Sequence, residues 1–100
     1  MTLATLDEAK LALHITDPAR DAEVTMFLAQ ASFLIYQYVG TQADPTWDET
    51  TAPDDVRAAT LHLLAGMFEH RGDDAADGHD ESLWAGVSLY LMRRRDPALA

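Results

Sequence analysis

Residues 17–40 read DPARDAEVTMFLAQASFLIYQYVG, and this stretch decides the fold. Asp17-Pro18 is a helix start, an N-cap acid followed by Pro at the first helical position. Behind it, Val24, Phe27, Leu28, Ala31, Leu34, Ile35 and Tyr38 step by 3, 1, 3, 3, 1 and 3. That spacing puts all seven on one face of a long α-helix. Gly40 stands where a left-handed C-cap belongs. Phe33 and Tyr36 lie off the stripe.

A second long helix follows downstream. Pro53-Asp54-Asp55 starts it with acids in the first turn, where the helix dipole favours them. Val56, Ala59, Thr60, Leu63, Leu64, Met67 and Phe68 repeat the helical spacing, and Arg71-Gly72 closes it. Between the two helices, Thr41 to Ala52 is a polar loop with one large apolar residue, Trp47.

Shorter helices flank this pair. Thr5-Leu6-Asp7-Glu8 reads as a capping box, with the Thr5 hydroxyl accepting from the Glu8 amide and the Glu8 carboxylate reaching back. The helix it opens runs to about His14, with Leu6, Leu13 and Ala9 as its buried face and only a loose tie to the rest. Asp73 to Asp80 is an acidic loop. Ser82 caps a last helix through about Met92, with Leu83, Trp84, Val87 and Leu91 as its apolar positions. Gly86 inside it weakens the helix by roughly 1 kcal/mol against Ala. Asp96-Pro97 stops any helix.

The expected fold is therefore all-α: a small bundle of two long antiparallel helices flanked by short ones, with an extended C-terminal tail. Residues 1–92 form the helical domain and 93–100 a basic tail. Two helices cannot bury both their stripes and the aromatics Phe33, Tyr36, Trp47, Trp84 and Tyr90. These five are candidates for a surface that faces other subunits, unless the short helices cover them.

The chain has 100 residues, room for one core, and 48% of them are apolar, too many for disorder over most of its length. Ala and Leu dominate that fraction, which favours helix over strand. No cysteine is present, which excludes a disulfide framework, a thiolate zinc site and a cysteine nucleophile. Met1 to Lys10 lacks a basic segment followed by an apolar block, so no secretion signal is expected. No apolar run is long enough to span a membrane.

Charge is the other strong feature. Seven Lys and Arg stand against seventeen Asp and Glu, a net of −10. Asp44 to Glu81 holds eleven acids against Arg57 and Arg71, a balance of −9, while Arg93, Arg94 and Arg95 face only Asp96 in the tail. Such a body repels nucleic-acid phosphate. Three consecutive arginines exceed what a helix C-terminus needs and suit an acidic groove on a partner chain.

The motifs for chemistry fail one by one. Asp73, Asp77 and Gly78 fit positions one, five and six of a calcium loop, but position three is Ala75 and position twelve is Trp84, where a bidentate Glu is required. No helical His pair with a Glu exists. Ser32, Ser82 and Ser88 sit in no nucleophile elbow, and His14, His62, His70 and His79 have no serine partner in view. His62 reads as a boundary residue beside the apolar stripe. Phosphate-binding glycine motifs are absent. No catalytic residue, metal or cofactor is expected.

In this order, these pieces resemble the head–tail connector (adaptor) family of tailed bacteriophages, of the gp6-like and gp15-like type, with related adaptors in gene transfer agents. The matching stretches are Thr5 to Lys10 with Leu13, the Asp17 to Asp21 turn, Leu28 to Ala31 with Ile35 to Gly40, and Pro53 to Ala59 continuing through Leu64 to Arg71. Gly86-Val87, Leu91 and the tail Arg95-Asp96-Pro97-Ala98-Leu99-Ala100 complete it. The Asp73 to Glu81 segment is more acidic than is usual in the family. The resemblance implies a non-catalytic subunit of a ring, typically dodecameric, beneath the portal at the head–tail junction of a virion, assembled in the host cytoplasm. Its partners would be the portal protein, copies of itself and a downstream completion or tail terminator protein, with genome DNA passing through without specific binding. In that setting Arg93, Arg94, Arg95, Asp96, Pro97 and Leu99 become the portal-docking tail. Asp44, Asp48, Glu49, Asp73, Asp74 and Asp77 become candidate channel acids. The competing reading is an antitoxin-like regulatory module that binds a single protein partner.

Overall fold

The computed structural model describes residues 2–40, 44–69 and 81–91, the last stretch by backbone alone at 81–83. Its elements are α1 (Leu6–Leu13), a 3-10 turn (Pro18–Arg20), α2 (Asp21–Val39), α3 (Asp54–Glu69) and α4 (Glu81–Leu91). No strand occurs among the described residues. The Arg71-Gly72 stop, the Asp73 to Asp80 loop and the 93–100 tail lie outside them.

α1 opens on the expected capping box. Thr5 Oγ1 accepts from the Glu8 amide at 3.1 Å, and Glu8 Oε1 accepts from the Thr5 amide at 2.9 Å. It ends at His14, in the left-handed region with φ 58°, where the Ile15 amide reaches back to the Lys10 carbonyl at 2.9 Å. The long helix starts later than the Pro18 signal indicates. Asp17 caps the 3-10 turn by accepting from the Ala19 amide at 2.9 Å, and α-helical bonding begins only at Asp21. Gly40 does take a positive φ of 65°, but its ψ of −125° lies far from the left-handed helix. Glycine is still required there, because a side chain does not tolerate that pair of angles.

The core is the meeting of the two predicted stripes. Val24, Phe27, Leu28, Ala31 and Ile35 of α2 are buried, with Leu34 and Tyr38 packed at the margin. All seven stripe positions of α3 are buried. Phe27, near the start of α2, meets Phe68, near the end of α3, edge-on at 5.7 Å, so the two helices run antiparallel. The Arg20 guanidinium lies 5.0 Å above the Phe68 ring and closes that end. Buried Thr60 donates to the Val56 carbonyl at 2.8 Å, which removes the cost of an unpaired hydroxyl.

α4 packs on α3 through buried Val87 and Leu91. It begins at Glu81, which puts Ser82 inside the first turn instead of at the cap. Trp84 stacks on Tyr38 at 5.1 Å, joining the start of α4 to the end of α2.

α1 is tied more firmly than its Leu6 and Leu13 alone would make it. The chain ahead of it is buried at Leu3 and Ala4, and the Leu3 amide donates to Ser32 Oγ at 3.0 Å. Lys10 Nζ sits 2.7 Å from Asp21 Oδ1, and Arg57 donates to Glu8 at 3.2 Å. Both pairs are partly screened and add little singly. The buried amide–hydroxyl bond is the stronger constraint.

Candidate functional site

The α2–α3 loop carries the described members of the acidic set. Asp44, Asp48 and Glu49 are all exposed. Two of them also hold the loop's shape. Asp44 Oδ1 accepts from the Thr46 amide at 2.8 Å and its hydroxyl at 2.7 Å. Asp48 Oδ1 accepts from the Thr50 amide and hydroxyl at 2.8 Å each and from the Thr51 amide at 3.0 Å. Side chains of this kind form Asx turns that replace the backbone bonds a loop lacks. The bonds from Thr50, the backbone one foremost, and from Thr51 lower the Asp48 pKa to about 2. The Thr46 amide and then its hydroxyl pull Asp44 below its usual value. In both side chains these bonds favour the charged form.

The loop is anchored underneath by Trp47, 7% exposed, and by buried Ala52. Arg57 holds its far side, donating through Nη2 to the carbonyls of Glu49 and Ala52 at 3.3 Å each, while Nη1 reaches Glu8. Asp73, Asp74 and Asp77, and the tail residues Arg93 to Pro97 and Leu99, lie outside the described residues.

The five candidate interface aromatics divide. Trp47 belongs to the chain's own core. Trp84 is half-buried against Tyr38. Tyr90 is exposed, with its ring 5.8 Å from that of His62. Phe33, 61% exposed, and half-buried Tyr36 come together on the outer face of α2. With Leu3, Ala29 and Ser32 they line a groove of about 310 Å³. Met26 and Leu89 are further large apolar side chains in water.

Sequence spacing missed the tie of Leu3 to Ser32, because the partners are far apart in the chain and Leu3 precedes the helical pattern. The burial of Trp47 did have a signal: one large apolar residue in an otherwise polar loop.

Among the described residues, no group of three or more acidic or histidine side chains converges as a metal site, and no helix is long and apolar enough to cross a membrane. What the fold presents is surface: an acidic rim on a stapled loop, and apolar faces on helices. Its described residues make a small all-helical protein. It belongs to the phage gp6-like head-tail connector family, whose model matches residues 3–83, from the segment ahead of α1 into the first turn of α4. The family's role is structural. Comparisons with curated proteins and with solved structures give no match.

Proposed function

We propose that this chain is a head–tail connector subunit that assembles with copies of itself into a ring, dodecameric on the family pattern. The ring sits beneath the portal of a phage or phage-like particle and extends the DNA channel. It offers a platform to the next head–tail completion or tail terminator protein. The observation that carries this reading is the family match over residues 3–83.

Two features of the chain support it physically. A channel that passes DNA must not hold it, and carboxylates repel phosphate. The acidic rim of Asp44, Asp48 and Glu49, with Asp73, Asp74 and Asp77, would line or border the lumen. The tail, with Arg93, Arg94 and Arg95 followed by Asp96, Pro97 and Leu99, would dock onto the portal. No covalent chemistry is part of this role.

Electron microscopy of the chain mixed with its portal protein tests the reading. Rings seated on the portal are expected, with the acids toward the axis. A small fixed oligomer that ignores the portal would overturn it in favour of the single-partner module. A ring with all these carboxylates on its outer wall would overturn the lumen assignment alone. Deleting 93–100 should leave the helices folded and abolish portal capture in a pull-down.

A further inference from the structure

α2 has two apolar faces, and the chain itself covers one. On the other, Ala22, Met26, Ala29, Phe33 and Tyr36 step by 4, 3, 4 and 3, the spacing of a helix-packing seam. The first four are exposed and Tyr36 is half-buried. From Val24 to Val39 the helix has no charged residue, in a chain of which 24% is charged. A helix face open to water normally carries charges. α4 repeats the anomaly: Ser82 to Leu91 holds no charge, and Leu89, 75% exposed, stands beside exposed Tyr90.

We propose that the outer seam of α2 is the seat for the Leu89–Tyr90 edge of α4 from the next copy of this chain. The two faces select each other as occupants: both are apolar and free of charge, so a second copy, carrying −10 elsewhere, meets least repulsion where they join. Shape agrees with charge. The groove beside Phe33 is concave and roomy enough for one large side chain, while Leu89 and Tyr90 project from α4. One head-to-tail contact covers both faces, whereas pairing α2 with α2 leaves Leu89 in water. Repeated head-to-tail contacts run on from copy to copy, and close into a ring when the rotation allows. The closure, though not the contact, rests on the connector reading above.

The absence of cysteine gives a clean test. Phe33→Cys and Leu89→Cys are made singly and together, their folding is checked by circular dichroism, and each is oxidised at high concentration and again on the portal. The double variant should give a ladder of cross-linked multimers, several-fold above either single variant. A mixture of the two single variants should stop at a dimer. Dimers from Phe33→Cys alone would overturn the proposal in favour of α2 self-pairing, and a cross-link to the portal in place of a neighbour would overturn it too. So would absence of the ladder from a double variant that the portal still captures, an outcome that leaves the connector reading standing. Failure of the unsubstituted chain to bind portal would sink the connector reading instead, whatever the ladder shows.

Discussion

The His62 imidazole fills the space that a side chain at residue 86 would need: a Cβ on Gly86 would overlap its Nε2. Gly86 thus leaves room on α4 for the His62 ring of α3. The helix gives up roughly 1 kcal/mol of propensity there so that α4 can pack on α3. Gly86→Ala should therefore destabilise the fold, since overpacking costs typically ~1–3 kcal/mol and outweighs the gain. In a His62→Ala background the same substitution should stabilise by about 1 kcal/mol, the propensity gain alone. Urea midpoints of the four proteins in the cycle decide it. A Gly86→Ala effect of the same sign in both backgrounds refutes the contact.

The Leu3 amide is buried, and the Ser32 hydroxyl is its acceptor at 3.0 Å, across 29 residues of chain. Ser32→Ala leaves that donor without a partner, at a cost of about 1–3 kcal/mol. The loss should be local first. Hydrogen exchange at Leu3 and through α1 should accelerate before the α2–α3 pair is affected. Uniform loss of protection across all helices would mean that the segment ahead of α1 is not a separate latch.

These two relationships mark where sequence stops being informative. The stripes of α2 and α3 were legible, because helical period and burial are the same statement when two helices face each other. The capping box of Thr5 and Glu8 was legible because its partners are three residues apart. The acids at 44, 48 and 49 were legible as charge, but the work of Asp44 and Asp48 as loop staples depends on threonines whose hydroxyls had no pattern to announce them. Gly86 read as a weak point in a helix until His62 was in place. Trp47 shows the limit most plainly. A lone aromatic in a polar loop is either an anchor or an exposed contact, and only the third dimension decides.

Glu8 accepts from the Thr5 amide, which with the Thr5 hydroxyl and nearby Arg57 holds its carboxyl below the ordinary value of 4.5. A carboxylate with a lowered folded pKa stabilises fully above its unfolded value, and that contribution is lost as pH falls through the folded one. Stability should therefore decline on acidification from about 4.5 downward. Glu8→Gln keeps an acceptor for the Thr5 amide but removes the charge. It should lower stability at neutral pH and flatten the acid decline, as followed by thermal unfolding across that range. Thr5→Ala should cost about 1 kcal/mol by loss of the cap. An unchanged acid decline in Glu8→Gln would assign it to other carboxylates.

Trp47 and Asp48 are neighbours with opposite duties, one facing the core and one facing water. Trp47→Ala should cost about 3–5 kcal/mol, the range for an aromatic removed from a core, and should do so in the free chain before any assembly. Were Trp47 an interface residue, the free chain would keep its stability and only assembly would suffer. Asp48→Ala should leave global stability nearly intact but speed amide exchange at Thr50 and Thr51, whose donors lose their acceptor. Asp48→Asn retains that acceptor and should leave exchange near normal while removing one charge from the rim. Under the proposed connector role, comparing these two variants in ring assembly and DNA passage separates the loop's shape from its charge. If Asp48→Ala impairs passage and Asp48→Asn does not, the shape of the loop matters there and the repulsion does not.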